Sequence, residues 1–174
     1  MTGPKPDLRG WLWGLAAFGI VIALSVSITV FGDGVTWGIG EHQAAGSAAR
    51  VDEIQAQWRA GGVRNLAIVA MLGDLVFIGI YGWGSWRAGR SFMAMPGALG
   101  LLGVLIAASA VVFALCDYTE TGLQLVQLLR ERGSDAMAAT AAAARPIKSL
   151  AWLASFFGVL AALAIGRVGG RTLD

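Results

Sequence analysis

The chain has 174 residues, of which 56% are hydrophobic and only 14% are charged, and its mean hydropathy is +0.67. This composition excludes a soluble globular domain and is typical of an integral membrane protein. The net charge of +2 comes from basic residues scattered along the chain rather than from a dense basic block, which argues against nucleic acid as a partner.

Cys116 is the only cysteine and His42 the only histidine. A single cysteine excludes an intramolecular disulfide, a C-x-x-C redox pair and a cysteine-based metal site. A single histidine excludes a bis-histidine haem or a multi-histidine metal centre within one chain. The sequence also contains no P-loop, dinucleotide-binding glycine pattern, zinc-protease motif or nucleophile elbow. We therefore predict no catalytic residue, no metal site and no cofactor.

Four apolar runs of 18 to 21 residues are separated by more polar segments. Each run is close to the roughly 20 residues that a helix needs to cross about 30 Å of hydrocarbon. These runs predict an all-α membrane protein in which residues 1–174 form a single four-helix transmembrane domain. The predicted spans are about 11–31, 66–86, 97–116 and 149–166.

The first two spans are joined by a long connection, loop 1, which covers residues 32–65. Within it Val51, Ile54 and Trp58 recur at i, i+3 and i+7, while charged residues occupy the other faces. This pattern predicts an amphipathic interfacial helix.

Polar residues continue beyond the third span at i, i+3, i+7, i+10 and i+14: Asp117, Glu120, Gln124, Gln127 and Glu131. The spacing places them on one helix face, and we expect the third helix to leave the bilayer with that face turned to water. The alanine-rich residues 136–144 predict a second interfacial helical piece in loop 3, the connection to the fourth span. Pro146 suits the first turn of that span.

Asp74 stands in the otherwise apolar second span, where a carboxylate costs on the order of 3 kcal/mol. Ile78, Tyr81 and Ser85 lie on the same helix face, so we expect Asp74 to face the bundle. Two interpretations remain open: a site for a proton or cation, or a protonated aspartate that hydrogen-bonds a neighbouring helix.

Three further residues extend this candidate polar cluster in or near the membrane. Asp117 and Glu120 share a helix face, and such a pair suits proton transfer or, with further oxygen ligands, binding of a hard cation. Lys148, at the start of the fourth span, can form a salt bridge with Asp117 or extend along its helix to water. His42 can join the cluster only if loop 1 folds back over the bundle.

The fourth span carries small residues at intervals of four: Ala154, Gly158, Ala162 and Gly166. Small side chains allow two helix backbones to approach closely, which is a main source of helix association in lipid. This stripe therefore predicts a helix-packing face, either within the chain or against another subunit.

The charges around the spans predict the orientation. With the N-terminus inside, the two tails and the loop with Arg87 and Arg90 sum to +4, whereas the two longer loops sum to −1. Basic residues alone number six inside and seven outside, so the prediction rests on their density in short segments. We expect both termini in the cytoplasm.

Asp117-Tyr118-Thr119-Glu120 at the end of the third span, with Lys148 just ahead of the fourth, resembles small uncharacterised four-helix bacterial membrane proteins. Those proteins carry a D-x-x-E-N signature at this place, and Thr121 stands where the signature has Asn. The resemblance covers the topology of most of the chain but only a few motif residues. It implies the bacterial inner (plasma) membrane and a polar cluster of Asp117, Glu120 and Lys148, but no activity.

The leading functional prediction is a non-catalytic integral membrane subunit or accessory protein, because tryptophans, small-residue stripes and extramembrane helices offer docking surfaces. Its partners would be the lipid bilayer and either other membrane subunits or further copies of the chain. One alternative is a small proton- or cation-coupled carrier that uses Asp74 with Asp117 and Glu120. A second alternative is a lipid-modifying membrane enzyme.

Overall fold

A computed structural model describes the backbone of residues 6–171 and the side chains of residues 6–166. Within that part of the chain the secondary structure is entirely helical. The helices are α1 (Arg9–Phe31), α2 (Ile39–Gln43), α3 (Ala48–Ala60), α4 (Arg64–Met93), α5 (Ala98–Arg130) and α6 (Asp135–Arg171).

The long helices α1, α4, α5 and α6 are each long and apolar enough to span a membrane. With 33 residues, α5 is about 50 Å long at 1.5 Å per residue. This length exceeds the roughly 30 Å of hydrocarbon in a bilayer, so one end of α5 extends beyond it. The polar residues of α5 lie toward its C-terminus, at the same end of the bundle as loop 1. This is therefore the end that extends beyond the hydrocarbon of the bilayer.

The long helices pack in the spatial order α1, α4, α5, α6. Glycines permit the closest approaches: a Cβ on Gly84 of α4 would overlap the backbone of Gly10 in α1. A Cβ on Gly89 would lie 2.6 Å from the backbone nitrogen of Ala107 in α5. Because lipid tails give little hydrophobic drive for association, such backbone contact supplies much of the packing energy between helices.

Loop 1 forms a cap of two helices, α2 and α3, over one end of the bundle. α2 packs on α5 and α6, and α3 packs on α4 and α6. Ser47 caps the start of α3 by accepting from the N–H of Arg50, and Asp135 of α6 accepts from the N–H of Ala48 at 2.7 Å. Trp58 is buried and donates to the carbonyl of Trp37 at 2.6 Å, which holds the two parts of the loop together.

Loop 3 differs from the sequence prediction. Only residues 131–134 lie outside the helices between α5 and α6, and α6 continues unbroken from Asp135. The alanine-rich residues 136–144 are therefore the first turns of α6, not a separate interfacial piece, and Pro146 lies inside the helix. Alanine has the highest helix propensity, and these turns pack against α5 and the cap, so no break occurs before the span.

The stripe of small residues in α6 is only partly a packing face. Gly158 and Ala162 are buried, and a Cβ on Gly158 would lie 2.7 Å from Ile106 Cγ1 in α5. Ala154 is half-buried, whereas Gly166 is exposed and has open space around it within the described residues. The close contact therefore occupies the middle of the stripe and faces α5 of the same chain.

Candidate functional site

An ion-pair cluster joins α5 to α6 inside the bundle. Lys148 Nζ lies 2.5 Å from Asp117 Oδ1 and 3.0 Å from Glu120 Oε2. Both carboxyl groups are buried, and the lysine side chain is 14% exposed. Asp117 and Glu120 are one turn apart on α5, so a single ammonium on the facing helix reaches both. Lys148 thus pairs with the carboxylates instead of extending to water.

Asp74 of α4 lies beside this ion-pair cluster. Its Oδ2 accepts a hydrogen bond of 2.8 Å from the hydroxyl of Thr121, which follows Glu120 on α5. Asp74 is 8% exposed, and Ile78, Tyr81 and Ser85 on the same face of α4 are fully buried. The structure therefore brings Asp74, Asp117, Glu120 and Lys148 into one region of the bundle.

Four of the five polar residues spaced along this face of α5 turn inward, contrary to the expectation that the face meets water; the fifth, Glu131, follows the end of the helix and is exposed. Asp117, Glu120, Gln124 and Gln127 are all buried, whereas Leu129 on another face is 55% exposed. The cause is the cap, because α2 and the first turns of α6 cover this part of α5. The cap and α6 supply some of the polar partners that these buried residues need: Gln124 donates to the carbonyl of His42, and Lys148 pairs with Asp117 and Glu120.

A cavity of about 410 Å³ lies between α1 and α6 and reaches the cluster. Asp74, Asp117 and Lys148 line its polar end. The rest of the wall is mainly apolar and aromatic, and α2 covers the top with Ile39, Gly40 and Gln43. The lining also includes Phe18, Val21, Ile22, Ser25, Ala70, Phe77, Phe113, Ser149, Trp152 and Leu153.

Aromatic contacts close the gap between α1 and α6 on the side of the cavity away from the cap. The rings of Phe18 and Trp152 are 5.3 Å apart, and those of Trp11 and Phe156 are 5.8 Å apart and stacked. Nearer the cap, Ile22 and Leu153 at the cavity are 47% and 41% exposed. The cavity therefore opens sideways between α1 and α6, toward the surroundings of the bundle.

His42 connects the cap to the polar face of α5. Loop 1 does fold back over the bundle: the Gln124 side-chain amide donates to the carbonyl of His42 at 3.2 Å, and His42 Nε2 lies 3.1 Å from Gln55 Nε2. His42 is buried and lies against the ring of Trp58 at 4.9 Å. Burial lowers the pKa of His42 from 6.5 to about 4, against a smaller opposing effect of the Gln124 side chain.

Several polar atoms in this region are buried without a hydrogen-bond partner among the described residues. They include Glu120 Oε1, Gln124 Oε1 and Gln55 Oε1. Unpaired buried polar atoms are uncommon because each one costs desolvation energy. These three atoms lie beneath the cap, whereas Trp11 Nε1, Ser85 Oγ and Trp152 Nε1 are unpartnered farther from it.

The charges of the cluster do not balance. The carboxyl groups of Asp74, Asp117 and Glu120 face the single ammonium of Lys148, so with every group ionised the formal sum is −2. Arg145, one turn earlier on α6 and beside Gly40, adds one positive charge near Glu120. One negative charge still remains in excess, and in a low-dielectric site it requires a proton or a cation.

The helical spacing placed Gln124 on the face of Asp117 and Glu120, but that face was expected to meet water. The sequence did not identify Thr121, Gln55 or the aromatic wall as parts of this site, although Thr121 follows Asp117 at i+4 and the same spacing could have suggested it. Gln55 and the wall residue Phe18 carry no such signal, because only the tertiary packing of the cap and of α1 brings them near the cluster.

Within the described residues, no group of three or more His, Cys, Asp or Glu side chains is arranged to hold a metal ion. The carboxylates are instead engaged by Lys148 and Thr121. The chain matches no protein-family model, no curated protein and no solved structure.

Proposed function

We propose that this chain is a small membrane carrier of lipophilic organic cations, with Asp74 as the residue that binds the positive charge. The observation that carries the proposal is the lateral cavity, whose apolar wall ends on a cluster with more carboxyl groups than basic groups. This is the proton- or cation-coupled function that the sequence offered as an alternative.

The cavity has the chemistry that a lipophilic cation requires. Its volume of about 410 Å³ falls within the range of ordinary small-molecule sites. Phe77, Phe113 and Trp152 present aromatic rings, and a cation within about 6 Å of such a ring is attracted by the ring quadrupole. A ligand with apolar substituents around a positive centre satisfies both the wall and the carboxylate.

Asp74 is better placed for this role than the other two acids. Asp117 and Glu120 are engaged by the ammonium of Lys148, whereas Asp74 receives only a neutral hydroxyl donor, Thr121. A carboxylate with one oxygen held by a hydroxyl keeps the other free for a ligand. Asp74 can hold either a proton or the organic cation, because one carboxylate compensates one positive charge at a time. Exchange of one for the other at this residue couples proton transport to transport of the organic cation.

The proposal includes the predicted orientation in the membrane and the position of the cap. We place both termini in the cytoplasm of a bacterium, with the cap of α2 and α3 at the outer surface of the inner membrane as interfacial helices. The resemblance to small four-helix bacterial membrane proteins remains a prediction, as do the accessory subunit and the lipid-modifying enzyme. A stoichiometric partner on gentle purification would favour the accessory subunit, and a lipid bound beside Asp117 and Glu120 would favour the enzyme.

Binding of tetraphenylphosphonium to the purified protein tests the proposal, with Asp74→Asn as the main variant. The amide keeps the size of the side chain but cannot carry the compensating charge, so we expect affinity to fall by about tenfold or more, the factor that about 1.4 kcal/mol represents. Asp33→Asn is the matched control because Asp33 is exposed in loop 1, away from the cavity. Neutral triphenylphosphine oxide should bind the wild type much more weakly.

The proposal would be contradicted if wild type and Asp74→Asn bound the cation with equal affinity. It would also be contradicted if the wild type bound the cation and the neutral analogue equally well. Transport is tested separately by ethidium flux into proteoliposomes under an imposed pH gradient. Flux that depends on the gradient and is lost in Asp74→Asn supports a coupled carrier. Binding without flux would leave a cation-binding protein and reject the carrier.

A further inference from the structure

A second polar surface lies at the opposite end of the bundle from the cap, on the last turns of α4. Trp83, Trp86, Arg87 and Arg90 are spaced i, i+3, i+4 and i+7 and share one helix face. The rings of Trp83 and Trp86 stack at 5.0 Å, and the guanidinium of Arg90 lies 5.0 Å from the Trp86 ring centroid. Two arginines and two tryptophans thus form one ordered patch outside the candidate cation site.

This patch continues into an apolar groove between α4 and α5. One depression of about 380 Å³ is lined by the patch and Ser91. A second, of about 550 Å³, runs along α5 past Val104, Ala108 and Val111. The two depressions share Trp86 and Arg90, so the charged and apolar parts form one continuous groove on the membrane-facing surface.

The two arginines differ in how far their charge is compensated. Arg87 is paired with Asp7 at 2.8 Å. Arg90 is exposed and has no carboxylate within salt-bridge distance among the described residues, and its contact is the face of Trp86. The groove therefore presents a positive charge at its mouth and apolar side chains along its length.

We propose that this groove binds an anionic phospholipid, with the phosphate on Arg90 beside the Trp86 ring and one acyl chain along Val104 and Val111. Arginine matches the geometry of phosphate oxygens, and indole rings favour the level of the headgroups. The apolar part of the groove identifies the occupant as a lipid rather than a free phosphate, because a free phosphate has nothing to place there. Basic sites between transmembrane helices recognise anionic headgroups in the same way.

The site is tested by native mass spectrometry of the full chain. The protein is released from micelles that contain equal amounts of phosphatidylglycerol and phosphatidylcholine with the same acyl chains. We expect wild type to retain phosphatidylglycerol preferentially. Arg90→Gln should lower the ratio of the two lipids about fivefold, the factor that about 1 kcal/mol per basic residue represents. Ala108→Trp, which fills the groove and leaves both arginines in place, should reduce retention of both lipids.

Arg50→Gln is the matched control. Arg50 also lies over a tryptophan ring, 3.8 Å from the centroid of Trp37, but at the cap end and outside the groove. Its lipid ratio should equal that of wild type. The proposal would be overturned by an unchanged phosphatidylglycerol-to-phosphatidylcholine ratio in Arg90→Gln, or by an equal fall of that ratio in Arg50→Gln. It would also be overturned if millimolar inorganic phosphate displaced the lipid. Because the groove and the cavity are lined by different residues, this result is independent of the cation test.

Discussion

The ammonium of Lys148 lies 2.5 Å from Asp117 Oδ1, and this pair joins α6 to α5 at the inner end of the lateral cavity. Taking both charges out of water is costly, and their mutual attraction offsets that cost only while both partners are present. Asp117 and Lys148 are 31 residues apart in sequence, so the pair also fixes how the two longest helices are placed relative to each other.

Lys148→Met should therefore destabilise the protein strongly. The methionine fills a similar volume but leaves Asp117 and Glu120 buried without their cation, and breaking a buried pair in this way costs about 3 to 5 kcal/mol. We expect a large fall in the thermal unfolding midpoint in detergent.

The triple variant Lys148→Met, Asp117→Asn, Glu120→Gln is the control for the charge argument. It removes the two uncompensated charges together with the lysine, so it should recover a substantial part of the lost stability. If the triple variant were less stable than Lys148→Met alone, the destabilisation would come from lost packing and not from unpaired charge.

Asp74 should tolerate Asn but not Leu in a stability assay. Asn is nearly isosteric and still accepts the hydrogen bond from Thr121, whereas Leu leaves that buried hydroxyl without its acceptor, at a cost of about 1 to 3 kcal/mol. Adding Thr121→Val to Asp74→Leu should restore part of the loss by removing the unpaired hydroxyl. A Leu variant as stable as wild type would mean that Asp74 does not interact with the interior of the bundle.

The helical architecture follows from the sequence because apolar length and composition alone decide whether a segment can span a bilayer. The direction of the polar face of α5 does not follow from those quantities. Gln124 and Gln127 have the spacing of a water-facing stripe, yet both are buried. A stripe that faces water and one that faces a polar cap have the same pattern in sequence, and only the fold-back of loop 1 distinguishes them.

The candidate site shows the same limit. Asp74 is conspicuous in sequence because a carboxylate is expensive in an apolar helix. Its partner Thr121 is not, because a threonine near the end of a span is common and its hydroxyl gains a role only when α4 packs against α5. The cavity was not predictable at all, since it depends on where α1 separates from α6.

Within the stripe of α6, leucine should be damaging at Gly158 and mild at Gly166. A side chain at Gly158 would press on Ile106 from 2.7 Å, whereas Gly166 has open space around it within the described residues. Overpacking of a close contact typically costs about 1 to 3 kcal/mol. Thermal unfolding of Gly158→Leu and Gly166→Leu compares the same substitution twice in one helix. Indistinguishable midpoints would show that the contact with α5 does not contribute to stability.

The charge distribution predicts that the loop between α4 and α5 lies in the cytoplasm. Single cysteines at Pro96, in the loop between α4 and α5, and at Ala44, in loop 1, place one thiol at each end of the bundle, in a background where Cys116 is replaced by Ser. A membrane-impermeant maleimide added to intact cells should label Cys at position 44 and not at position 96. The reverse pattern would invert the orientation and place the cap of α2 and α3 inside the cell.

His42 should make the stability of the protein depend on pH through the cap. Burial lowers its pKa to about 4 in the folded state, while the unfolded chain has the ordinary value of 6.5. Between these values the unfolded state binds more protons than the folded state, so stability falls as the pH falls. The contribution is fully present above pH 6.5 and is lost by about pH 4, with an upper size of about 3 kcal/mol.

The measurement is the unfolding midpoint of wild type and His42→Gln as a function of pH. The carboxyl groups of the bundle titrate in both proteins, so the difference between the two curves isolates the histidine. Glutamine can still hydrogen-bond Gln55 from the same place but cannot take up a proton, so its curve should be flatter between about pH 6.5 and 4. A vertical offset between the curves reports lost packing against Trp58 and does not bear on the pKa of His42. Parallel curves over that range would mean that His42 is accessible to protons in the folded state, and the cap would then be open rather than packed on α5.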